Sequence, residues 1–152
     1  MRRTMSHMSP AARRGPLLTA IWRLHRFWYR LSDGRLGAKF QGWDVLLLTT
    51  TGRKSGARRS VTLNYFPDGS AFVVIGSNAG ADHDPLWWQN LKAHPDAEVR
   101  IGPKRVAVRA RECRDTERQL LWAKIVARDP SYAEYERRTK RRIPIVALDP
   151  KV

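Results

Sequence analysis

An α+β fold built on an antiparallel sheet is the architecture this sequence predicts, and three observations lead to it. Short runs rich in β-branched and apolar residues recur between Gly- and Pro-bearing breaks, at 45–51, 58–66, 71–75, 98–101 and 105–111, as strands joined by tight turns would. Apolar residues at three- and four-residue steps, at 17–31, 84–94 and 115–128, give helical spacing beside them. The 152 residues suit one core, burying roughly 70% of the unfolded surface, and neither an internal repeat nor a long linker divides them.

Residues 1–16, MRRTMSHMSPAARRGP, are basic and turn-rich. They are expected to be a disordered arm ahead of a single domain over 17–152. Leu17, Ile21, Leu24, Trp28 and Leu31 then form a helical stripe opposite Arg23, Arg26 and Arg30, and Ser32, Asp33 and Gly34 end it. Such a helix either packs its stripe on the domain or lies on an anionic membrane, with Trp22, Phe27, Trp28 and Tyr29 among the headgroups. No run reaches about eighteen apolar residues, so no membrane-spanning helix is expected.

The stretch that organises the chain is 45–59, VLLLTTTGRKSGARR. A buried strand breaks at Gly52, and Arg53, Lys54, Arg58 and Arg59 then gather around a second break at Gly56. Glycines let the backbone turn tightly, so amides and cationic side chains can face one phosphate or carboxylate; a solvated basic hairpin loop is the alternative. It is not a Walker loop, because the required glycines are replaced by Leu48 and Arg53. A GxGxxG fingerprint is also missing after any strand.

The second strand, RRSVTLNYF over 58–66, puts Val61, Leu63 and Tyr65 on one face and Ser60, Thr62 and Asn64 on the other. Pro67, Asp68 and Gly69 should turn the chain into a third strand, Ala71 to Ile75, completing a meander. Asp84 is placed to cap a helix that opens on Pro85 and ends before Pro95. Asp82, His83 and Asp84 are too close in sequence to converge on a metal, and no second ligand cluster appears, so no metal is expected. Strands at Glu98–Ile101 and Arg105–Arg111 follow, the second with one basic face, then a helix capped by Asp115 or Thr116 and running to Arg128. A helical turn near Pro130 carries Tyr132 and Tyr135, and Ile143 to Leu148 reads as the last strand.

A formal net charge of +15 implies an anionic partner: nucleic acid, acidic lipid or a polyanionic small molecule. Nucleic acid is disfavoured, because no reader motif appears and the cations are spread over loops and both termini. The single cysteine, Cys113, excludes an intrachain disulfide and fits a reducing cytoplasm.

Three blocks in order, TTTGRKSGARR, SNAGADHDPLWWQNLKAHP and DPSYAEYERRTKRRIPIVALDP, resemble the signatures of the deazaflavin-dependent nitroreductase family, which uses the 8-hydroxy-5-deazaflavin coenzyme F-420. The resemblance runs from about Trp43 to Pro150. It implies a split β-barrel like that of flavin-binding oxidoreductases, and hydride transfer from the reduced coenzyme to a small-molecule acceptor. Because that coenzyme carries a phosphodiester and a polyglutamate tail, the resemblance assigns Arg53, Lys54, Ser55 and Arg59 to the tail. Ser77, Asn78, Trp87 and Asn90 match positions near the deazaflavin ring. Tyr65, Tyr132 and Tyr135, with Ser77, are expected around the acceptor, although Tyr65 also reads as a core aromatic. The resemblance implies a quinone-like or nitro-substituted acceptor; nitroimidazole-reducing members carry tyrosines at the positions of Asn64 and Asp129, so a quinone or other conjugated compound is expected ahead of a bulky nitroimidazole. FMN in the same groove is the alternative cofactor, a homodimer is compatible with the fold, and the location expected is cytoplasmic, with a peripheral position at the inner face of the membrane through 17–31 as the alternative.

Overall fold

The computed structural model describes residues 39–40 and 43–152. The arm at 1–16 and the helix expected at 17–31 lie outside the described residues. Strands β1 (Lys39–Phe40), β2 (Trp43–Thr51), β3 (Arg58–Asp68) and β4 (Ala71–Ile75) lead through a 3-10 turn (Asn78–Gly80) to α1 (Leu86–Ala93). Then come β5 (Asp96–Ile101), β6 (Lys104–Glu112), α2 (Asp115–Arg128), α3 (Ser131–Arg138) and β7 (Ile145–Pro150).

All the strand pairs are antiparallel, in the order β1-β2-β3-β4-β7-β6-β5, and β2 also pairs with β5. That last pairing, Leu47 with Arg100 through Thr49 with Glu98, closes six strands into a barrel. The expected meander is therefore present as β2-β3-β4, and β7 returns to sit between β4 and β6. One seam is short: β3 meets β4 only at Phe66, Pro67 and Asp68. Among the described residues, 58–65 pair on the β2 side alone. This is the split in the barrel.

Strand alternation sorts the side chains into two cores. Leu46, Leu48, Val74, Val99, Val108, Val146 and Leu148 fill the interior, where Val61, Leu63 and Tyr65 join them, and Trp87, Trp88 and Leu91 of α1 pack against this cluster. Outside, Trp43, Ala71, Val73, Ile75, Ile145 and Ala147 pack under Leu121 and Ile125 of α2 and Tyr132 of α3.

Several boundaries differ from the sequence reading for local reasons. β3 continues through Pro67, and the turn shrinks to Gly69 and Ser70, with Gly69 at φ +58. The last strand starts at Ile145 rather than Ile143, because Arg118 Nη1 donates to the Ile143 carbonyl at 2.6 Å and Gly76 N to that of Pro144 at 2.9 Å. Neither Asp84 nor Asp115 caps a helix: α1 is capped by Pro85 and α2 by Arg114, without side-chain bonds. The basic face of β6 is also neutralised. Arg109 meets Asp96 at 3.0 Å, Arg105 meets Glu98 at 3.4 Å, and Arg111 meets Glu117 at 2.8 Å and Asp149 at 2.7 Å.

Candidate functional site

The loop between β2 and β3 is closed by its own backbone. Gly52 N donates to Ala57 O at 2.7 Å, Gly56 N to Gly52 O at 2.8 Å, and Ala57 N to Ser55 Oγ at 3.2 Å. Gly52 is needed for closeness: a Cβ there would lie 2.8 Å from Ser55 Oγ and 3.1 Å from Ala57 O. Gly56 is needed for its left-handed φ of +70. Arg53 N donates to Asn90 Oδ1 at 3.1 Å.

The amides of Gly52, Arg53, Gly56 and Ala57 are thus engaged inside the protein. The cradle expected from amides and side chains together therefore loses these amides and keeps its cationic side chains. Arg53, Lys54 and Arg59 are exposed and, among the described residues, have no acidic partner. Arg58 is 3.7 Å from Glu98. Register explains the difference: Arg59 shares the inward parity of Val61 and opposes Thr50, whereas Arg58 points out, opposite Thr51.

Asn90 ties this loop to α1. Its Nδ2 donates to Thr50 Oγ1 at 3.2 Å, and that hydroxyl donates in turn to Arg59 O at 3.4 Å. With Asn90 buried, its amide holds the loop rather than offering an open contact. Trp87 is buried too, its ring centroid 6.5 Å from that of Trp88, and it forms part of the packing of α1 on the barrel interior.

A second loop runs from Gly76 to Asp84. Ser77 is buried, and Asn78 Nδ2 reaches His83 Nδ1 at 3.2 Å. This loop is organised by Arg141, to which the sequence analysis assigns no role and which bonds Gly76 O, Ser77 O, Ala81 O and Asp84. Nothing in KRRIP distinguishes that arginine from its neighbours. The Asp84 carboxylate, freed from capping, also pairs with Lys92 Nζ at 2.9 Å. Among the described residues no group of His, Cys, Asp and Glu could hold a metal.

The tyrosines separate. Tyr132 stands edge-on to Trp43 at 5.9 Å and to Tyr135 at 5.7 Å, on the outer side of the sheet. Tyr65 points into the barrel, edge-on to Phe72 at 5.7 Å. The three therefore do not surround one acceptor: the structure joins Tyr132 with Tyr135 and leaves Tyr65 on the opposite face of β3. Asn64 does share the outer face, beside Tyr132. Burial, then Asp129 and Tyr135, push the Tyr132 hydroxyl up to about 12, while Asn64 acts the other way. That phenol remains a proton-bearing donor at any physiological pH. Asn64 Oδ1 and Thr62 Oγ1 are buried without a hydrogen-bond partner, so this patch retains polar capacity. Cys113 is buried, and burial followed by the charge of Glu117 raises its thiol to about 11, which removes it as a nucleophile.

Comparison with known proteins gives a consistent picture. The family model described as F420H(2)-dependent quinone reductase matches residues 21–150. The F420H(2)-dependent quinone reductase Rv1261c of Mycobacterium tuberculosis is 39% identical over 132 residues, covering 84% of this chain and 89% of that protein. A solved structure described as an F420-H2 dependent reductase (FDR-A) superposes with a TM-score of 0.63 at 36% identity, over 69% of this chain and 93% of its own. Another, described as a domain-swapped dimer, gives 0.67 at 30% identity over 86% and 99%.

Proposed function

The chain belongs to the F420H(2)-dependent quinone reductase family, and on that premise we propose how its residues divide the work. It is an oxidoreductase, and coenzyme F-420 is its cofactor. The FMN alternative finds no support in these relatives. When bound, the reduced deazaflavin supplies the hydride that a quinone accepts.

The single observation that carries the residue assignment is the loop at 52–59. Arg53, Lys54 and Arg59 project from a backbone already satisfied by its own bonds, with no acidic side chain opposing them among the described residues. Such cations suit a phosphodiester and a chain of carboxylates that remain partly wet. Ser55 keeps the turn shut through Ala57 N and lends a hydroxyl at the same place. Ser77 and Asn78 face the ring from the second loop, and Trp87 and Asn90 support that end of the barrel from α1. Tyr132 and Tyr135 stand at the acceptor, where the Tyr132 hydroxyl donates a hydrogen bond to a quinone oxygen as negative charge develops there. Asn64 and Asp129, where nitroimidazole-reducing relatives carry tyrosines, favour a quinone over a bulky nitro compound. A homodimer is part of the proposal, supported by a structure of the same fold that is described as a domain-swapped dimer.

Fluorescence titration with coenzyme F-420, with FMN as competitor, tests the reading. Lys54→Ala and Arg59→Ala should each weaken binding by about 1 kcal/mol, more at low salt than at high, as expected of partly exposed charge-assisted contacts. Affinity unchanged in both variants would remove the tail assignment.

A further inference from the structure

We propose that Arg141 is the positioning residue of the ring loop: its guanidinium clamps a left-handed turn at Asn78–Gly80 and so presents Ser77 and Asn78 in one fixed arrangement. This rests on the reading above that the loop faces the deazaflavin ring. The observation behind it is conformational. Asn78, Ala79 and Gly80 have φ of +46, +53 and +80 in succession. Glycine adopts such values freely and asparagine tolerates them, but the Cβ of Ala79 crowds its own carbonyl there. A turn of this kind persists only where its surroundings over-determine it.

Arg141 supplies that hold on both flanks. Nη2 donates to Gly76 O and Ser77 O, each at 2.9 Å, ahead of the turn, and Nε donates to Ala81 O at 2.8 Å behind it. Nη1 meets Asp84 Oδ1 at 3.1 Å, so every guanidinium nitrogen is engaged, and the side chain is only 14% exposed. A planar fork can grip carbonyls on two sides of a turn at once, which the single ammonium of a lysine cannot reproduce. The surroundings complete the frame. A Cβ on Gly76 would lie 2.5 Å from Pro144 Cγ, and one on Gly80 would lie 3.1 Å from Tyr135 O and 3.0 Å from Arg138 Cβ. The turn is therefore pressed between Arg141 and α3, the helix that carries the acceptor-side tyrosines. Through Asp84 and Lys92 the clamp also reaches α1, whose Asn90 holds the tail loop.

The test compares the full-length wild type with Arg141→Lys and Arg141→Gln, each with and without Ala79→Gly. Amide hydrogen exchange without coenzyme should accelerate by about tenfold over 76–84 in Arg141→Lys while β2 and β6 are unchanged; Lys54→Ala should leave exchange at 76–84 as in the wild type. At saturating reduced coenzyme, single-turnover reduction of a soluble naphthoquinone should slow by about tenfold or more, with coenzyme Kd altered by less than about threefold. Ala79→Gly, which removes the Cβ that disfavours the turn, should recover part of that rate.

Unchanged exchange at 76–84 would overturn the clamp. So would acceleration spread evenly over the barrel, which would mark a merely structural arginine. Local acceleration with an unaltered rate, or a loss confined to coenzyme affinity, would overturn the positioning role. If Arg141→Gln does not fold, Arg141→Lys decides. If the wild type fails to bind the coenzyme, the functional reading falls, while the exchange measurement still judges the clamp.

Discussion

Replacing Asn90 with Ala probes the join between the anion loop and α1. The side chain accepts from Arg53 N at 3.1 Å and donates to Thr50 Oγ1 at 3.2 Å, and it is buried. Each such bond is worth about 0.5–1.5 kcal/mol net, and more where a buried partner is left unsatisfied. Both partners lose their bond here, so the expected loss is about 2–3 kcal/mol, or roughly 4–12 °C in Tm at the scaling for a domain of this size. Asn90→Asp separates the two bonds. It keeps an acceptor for Arg53 N, loses the donor to Thr50, and places a carboxylate near Arg53, Lys54 and Arg59, where it competes with an anionic tail. Thermal unfolding and coenzyme titration on both variants give the comparison. Asn90→Ala should lose stability and about tenfold in affinity; Asn90→Asp should be the more stable of the two yet bind no better. If Asn90→Ala unfolds at the wild-type temperature, the tether has no energetic role. If it loses stability but binds as the wild type does, the loop does not need α1 to hold its shape.

Three further outcomes are expected. Alkaline stability should fall as pH rises from about 10 to about 12, because folded Tyr132 keeps its proton up to about 12 while the unfolded phenol releases it near 10. The unfolded state then binds fewer protons, so the sign is destabilising, up to about 2–3 kcal/mol; urea unfolding of Tyr132→Phe should lack this decline, and an identical decline would refute the assignment. Gly76→Ala should destabilise by about 1–3 kcal/mol through overpacking, since its Cβ would lie 2.5 Å from Pro144 Cγ; an unshifted denaturation midpoint would contradict the close approach. If the intact chain co-sediments with anionic vesicles, deleting residues 1–31 separates the two readings of the helix expected there: abolished sedimentation assigns it to a membrane surface, undiminished sedimentation to structure alone.

The sequence was legible where physics is local. Alternation in RRSVTLNYF sorted Val61, Leu63 and Tyr65 from Thr62 and Asn64, and the two cores follow that division. The glycines at 52 and 56 marked a tight cationic loop, which is what forms. Illegible features depend on distant pairing. The return of β7 between β4 and β6 leaves no trace in either segment. Arg141 looks like any other member of a basic run until carbonyls more than sixty residues earlier are brought to it. Asp84 reads as a cap because that is the local use of an aspartate before a helix, but it pairs instead with Lys92 further along that helix and with the distant Arg141. The charge of β6 was read alone, without the acids on β5, α2 and β7 that neutralise it.

The position of β7 also sets the order in which the molecule can assemble. Among the described strands it comes last in the chain, yet it lies between two that are made earlier, with Phe72 opposite Leu148 and Ala110 opposite that same leucine from the other side. During synthesis the nascent chain can form the β2-β3-β4 meander and the β5–β6 hairpin, but β4 and β6 each retain an open edge until β7 is free to pair with them. Contacts of such long sequence separation are slow to form and leave apolar strands exposed meanwhile. Barrel closure therefore waits on β7, and a chain lacking that strand has nothing to join β4 to β6.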